Sequence, residues 1–65
     1  MNMKDYWESL GPAGKVDFAR KADTSVAYLS QLAWGHRKAG VKSCAAIEKA
    51  TRGKVKMRDL RPDLF

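Results

Sequence analysis

His36 and Cys44 carry the softest donor atoms in this chain, and two such residues are too few for the chemistry they suggest. A tetrahedral zinc site needs four ligands. A Cys–His nucleophile pair needs an accessible thiol, whereas Cys44 falls on the apolar stripe of a helical segment, the setting of a buried and inert one. No glycine-rich phosphate loop, metalloprotease His-Glu pair or nucleophile elbow occurs. The expectation is therefore a protein that is not an enzyme and needs neither metal nor cofactor. A different chemistry is carried by Ser25, Ala27, Tyr28 and Gln31, followed by the basic run His36-Arg37-Lys38. A glutamine amide pairs with adenine through two hydrogen bonds, a serine hydroxyl donates to a phosphate or base edge, and an alanine methyl meets that of thymine. A tyrosine phenol reaches phosphate, and Arg and Lys fix orientation on the backbone. The plainer alternative is that these are solvated helix and loop residues.

The charge distribution favours a polyanion. The chain has 65 residues, 13 Lys and Arg, and 7 Asp and Glu, for a formal charge of +6. Lys4, Lys15, Arg20 and Lys21 are balanced by Asp5, Glu8, Asp17 and Asp23, so residues 1–32 are neutral. The whole excess lies in residues 33–65, where Arg37, Lys38, Lys42, Lys49, Arg52, Lys54, Lys56, Arg58 and Arg61 face only Glu48, Asp59 and Asp63. Such a basic surface on a small domain points to nucleic acid. No apolar run is long enough to span a bilayer, and Met1–Leu10 lacks the apolar region of a secretory signal. With a single cysteine, a disulfide framework is excluded. These features lead to the expectation of a single cytoplasmic domain, residues 1–65, with no membrane partner.

The elements that must position these residues are helical. Met3, Tyr6, Trp7 and Leu10 share one helical face, with Asn2 as cap, and Gly11-Pro12-Ala13-Gly14 breaks the segment. Pro12 stands either as the first residue of the next helix or as a simple turn. Lys15 to Ala22 predicts a second helix with Val16, Phe18, Ala19 and Ala22 inward. Asp23-Thr24-Ser25 stops it, and Val26, Leu29, Leu32 and Ala33 make a third, ended by Gly35. Val41 to Thr51 predicts a fourth, ended by Gly53 at a left-handed position. Lys54-Val55-Lys56-Met57 alternates and predicts a short extended stretch, and Asp59-Leu60-Arg61 one last turn before Pro62. Trp7 belongs in the core. Trp34 either caps the core or wedges under the Arg37 loop.

The turn between the second and third helices is too short for antiparallel packing, so the two must cross steeply, with the small Ala19 where they meet. This is a helix-turn-helix, whose second helix can enter a major groove. The spacing from Ala19 through Asp23 to Leu29 and Leu32 resembles that of phage Cro and repressor proteins, with Asp23 where those carry Gly and a polar Thr24 where they carry an aliphatic residue. Further along, Tyr28-Leu29-Ser30-Gln31, Gly35-His36-Arg37, Ile47-Glu48-Lys49-Ala50-Thr51 and Asp59-Leu60-Arg61-Pro62-Asp63-Leu64-Phe65 extend the likeness to the YdaS-type, Cro-like regulators of bacterial prophages.

The resemblance implies an all-α domain of four to five short helices and a sequence-specific regulator, usually dimeric, that binds double-stranded DNA. Ser25, Ala27, Tyr28 and Gln31 would then read bases, and Lys15, Thr24, His36, Arg37, Lys38 and Lys42 would hold phosphates. Lys42 at a helix start opposes the helix dipole, a conflict that a nearby phosphate would relieve. Val55, Met57, Leu60, Leu64 and Phe65 form an apolar set outside any long helix, which predicts a homodimer interface and recognition helices about 34 Å apart. Some relatives are antitoxins or members of toxin cassettes, so the competing function is an antitoxin or adaptor with a protein partner, a toxin in particular, whose DNA binding serves autoregulation.

Overall fold

The computed structural model describes all residues, Met1–Phe65, as five short helices without a strand: α1 (Met3–Glu8), α2 (Pro12–Lys21), α3 (Val26–Ala33), α4 (Val41–Ala50) and α5 (Met57–Leu60). No helix is long and apolar enough to cross a membrane. The all-α helix-turn-helix architecture expected of the sequence is the one observed.

Local chemistry sets most boundaries. The Asp5 amide donates to the Asn2 side chain at 2.8 Å, which satisfies one of the donors left free at the start of α1. Pro12 opens α2, where its missing N–H costs nothing, so this helix begins three residues before the expected Lys15. Val16 does not join the inner stripe and is 51% exposed. It precedes Phe18 by two residues, about 200° around a helix, so one stripe cannot hold both.

The α2–α3 turn is built on Asp23, which takes a left-handed φ of 55°. The Thr24 amide donates to the Ala19 carbonyl at 2.9 Å and the Asp23 amide to that of Arg20 at 3.1 Å, the paired bonds of a Schellman ending. The Ser25 side chain then caps α3 by accepting from the Tyr28 amide at 3.1 Å. Asp tolerates this backbone better than most residues but not as freely as Gly. Asp23→Gly is expected to stabilise the fold by roughly 0.5–1 kcal/mol, read as a higher thermal midpoint. Gly35, with φ 77°, ends α3 by the same pair of bonds, His36 to Gln31 and Gly35 to Leu32. At the end of α4 the left-handed residue is Arg52 (φ 55°), one position before the expected Gly53, which follows with φ 81°.

The core joins Met3 and Trp7 of α1, Phe18 and Ala19 of α2 with Ala22 just beyond it, Leu29, Leu32 and Ala33 of α3, and Cys44 and Ile47 of α4. The Tyr6 ring meets the Phe18 ring edge-on at 5.3 Å, and Trp7 lies 6.1 Å from it. Cys44 is fully buried, and its thiol is pushed up, chiefly by burial. Trp34 is not part of the buried core: it follows the last turn of α3, is 49% exposed and carries the Lys4 ammonium 5.3 Å from its ring.

The segment after α4 differs most from expectation. The expected extended stretch 54–57 forms no strand: Lys56 has an extended backbone (φ −91°, ψ 158°), but Met57 already opens α5. Val55 is completely buried in the chain's own core, so it is corrected from partner surface to core. The buried Thr51 side chain makes this possible, because its Oγ1 accepts the Val55 amide at 3.1 Å. Glu48 accepts the Met57 amide at 2.8 Å, and Asp59 accepts that of Lys56 at 2.9 Å. Met57 and Leu60 are half-buried against the same core, which leaves Leu64 and Phe65 as the exposed apolar residues of the tail.

Candidate nucleic-acid interface

With Leu29, Leu32 and Ala33 held in the core, α3 turns Val26, Ala27 and Gln31 outward, and all three are exposed. Ala27 and Gln31 are four residues apart and therefore neighbours on one stripe. Ser25 is exposed as well, although its Oγ is occupied as the cap acceptor. Tyr28 is half-buried: its phenol donates to Ser43 Oγ at 3.1 Å, and the Arg37 guanidinium lies 5.4 Å from its ring centre. Tyr28 thus ties α3 to the first turn of α4 and gives Arg37 an aromatic seat.

Around this helix the expected phosphate ligands form two groups. Thr24, Tyr28, Lys42 and Ser43 line a cleft of about 390 Å³ between the α2–α3 turn and the start of α4. Gly40 offers α4 no side-chain cap, so the positive end of that helix opens beside Lys42 without a built-in acceptor. His36, Arg37 and Lys38 are exposed on the loop after α3. None of Arg37, Lys38 and Lys42 pairs with a carboxylate; the ion pairs are Lys21–Asp17, Arg61–Asp63 and the N-terminal amine with Asp59. Lys15 stands apart, half-buried, with its ammonium 5.1 Å from the Trp7 ring centre.

The far end of the loop is held by Arg61. It donates to the Ala39 carbonyl at 2.9 Å and grips Asp63 through two nitrogens, at 3.0 and 2.8 Å. That grip lowers the Asp63 carboxyl to about 2. The amides of Leu64 and Phe65 return to the Arg61 carbonyl, which sets the tail beside the basic loop.

Two residues of this surface were not legible beforehand as participants. Ser43 lies fifteen residues from Tyr28 and has no pattern of its own. Val26 and Ala27 are alternatives for one outward position in the sequence, and both prove exposed, so what was not legible is that Val26 leaves the inner stripe without displacing Ala27.

Against known proteins, residues 5–65 match the family described as "Bacterial toxin YdaS". The chain belongs to the YdaS family. A relative of this YdaS-family chain, from Escherichia coli (strain K12), is described as "Prophage transcriptional regulatory protein". The two are 33% identical over 63 residues, which cover 97% of this chain and 96% of the relative.

Proposed function

We propose that this YdaS-family protein is a transcriptional regulator of the Cro-like repressor kind, which binds operator half-sites in double-stranded DNA as a homodimer with α3 in the major groove. The observation that carries the reading is the outward stripe of α3, where Ala27 and Gln31 are exposed and the adjoining Arg37, Lys38 and Lys42 have no carboxylate partner. Unpaired cations beside an uncharged helix face suit a ligand whose charge lies on its rim and whose information lies in its groove. The name of the K12 relative supports regulation of transcription. Base contacts fall to Gln31 and Ala27, with Ser25 and Tyr28 at the rim. Thr24, His36, Arg37, Lys38 and Lys42 hold phosphates, and Lys15 does so at a distance from them.

Gln31→Ala is expected to lower discrimination between a selected operator and competitor DNA by roughly 1–3 kcal/mol. Arg37→Ala is expected to weaken all duplexes about equally and to reduce the salt slope by roughly one. Fluorescence anisotropy across a salt series measures both. Equal loss on every duplex for both variants would show that α3 is not the reading element.

The dimer rests on Leu64 and Phe65, exposed at 51% and 48% beside the loop that follows α3. Leu64→Ser with Phe65→Ser is expected to convert a dimer into a monomer in sedimentation at micromolar concentration, and to remove the concentration dependence of the thermal midpoint while the monomer stays folded. A second reading, an antitoxin or adaptor whose main partner is a protein, draws on the family's description and on the exposed Trp34, since exposed aromatics anchor protein interfaces. Co-purification of a neighbouring gene product through Trp34 would favour it.

A further inference from the structure

We propose that the half-site is centred on A·T pairs and is read chiefly through thymine methyl groups, an inference that rests on the DNA-binding reading above. Of the outward side chains at the start of α3, Ser25 already accepts the Tyr28 amide and keeps its hydroxyl proton for a phosphate, and Tyr28 donates its phenol to Ser43. Val26, 37% exposed, Ala27 and Gln31 remain free.

The helix reads VAYLSQLA and contains no cation and no carboxylate. It therefore lacks the Arg or Lys fork that grips guanine O6 and N7, and the carboxylate that accepts from the cytosine amine. Val26 and Ala27 present only methyl groups. In the major groove thymine alone answers with a methyl of its own, so these two side chains fit thymine by apolar contact. Against a G·C pair the same methyls would cover the groove-facing N–H of the cytosine amine and take it from water without a partner, which penalises that pair. Gln31, on the stripe of Ala27, supplies the amide that matches adenine N6 and N7. The cations Arg37, Lys38 and Lys42 lie on the following loop and on α4, and Arg37 is seated on the Tyr28 ring. They add attraction to the backbone without adding a guanine reader to the helix.

The test uses the full chain and duplexes selected from a random pool, followed by the selected duplex with deoxyuridine replacing thymine one position at a time. The selected half-sites are expected to contain A·T pairs at their centre. Removing the methyl that faces Val26 or Ala27 is expected to weaken binding about fourfold per position. Val26→Ser, which removes both methyls, is expected to abolish the deoxyuridine penalty at one position only. Half-sites centred on G·C, or uracil duplexes bound as tightly as the thymine ones, would overturn methyl reading while leaving specific DNA binding intact. Selection of no duplex over the starting pool would overturn the DNA-binding reading and this one with it.

Discussion

Leu29→Ala is expected to cost about 2–5 kcal/mol and to leave much of the population unfolded near 40 °C. Leu29 is fully buried, and it belongs to the helix whose opposite side carries the reading stripe. A domain of this size has roughly 3–10 kcal/mol in total, at about 0.05–0.15 kcal/mol per residue. The lost methyl and methylene groups remove transfer energy, and a small core bounded by short helices collapses poorly around the void. Each kcal/mol shifts the midpoint of so small a domain by about 4–8 °C, so circular dichroism should register a fall of at least roughly 8 °C. Val16→Ala is the control. Val16 lies on the solvent side of α2 at 51% exposure, and its truncation is expected to stay within about 0.5 kcal/mol. Comparable losses from the two substitutions would mean that the inner and outer faces have been assigned the wrong way round.

The contrast between Leu29 and Val16 also marks what could be read from the chain alone. Features decided within a few residues were legible. Asn2 and Ser25 carry side-chain oxygens where a helix needs an acceptor, and Gly35 supplies the left-handed backbone that ends α3. Asp23 holds the turn despite its side chain because short polar residues tolerate that conformation. Features decided across the fold were not legible. Val55 resembles a tail residue until Thr51 is seen to accept its amide and let it enter the core. Trp34 looks like core by type, yet one residue past the helix its ring falls outside the packed layer. In the candidate interface the exposed, charged positions Arg37, Lys38 and Lys42 follow from composition, because unpaired cations stay wet. The role of Tyr28 does not, since the partner that draws its phenol inward lies on another helix.

Tyr28 supplies the second large effect, and two substitutions separate its roles. Tyr28→Ala is expected to cost about 2 kcal/mol, less than a fully buried aromatic because the ring is only half-buried. It removes the partner of Ser43, deepens the cleft beside Lys42 and takes away the ring beneath Arg37. Affinity should then fall on every duplex to a similar degree, because the freed guanidinium must be ordered again at the backbone each time DNA binds. Tyr28→Phe keeps the ring and the cation–π seat and loses one neutral hydrogen bond, for about 1 kcal/mol. Its selected sites should match those of the unaltered chain. If Tyr28 instead read a base through its phenol, the Phe variant would change the preferred sequence while leaving general affinity nearly intact. Site selection with both variants, alongside their thermal midpoints, distinguishes a side chain that holds the reading helix in register from one that reads. The 3.1 Å bond to Ser43 argues for the former, since a phenol donating its proton to α4 keeps only acceptor capacity for a base edge.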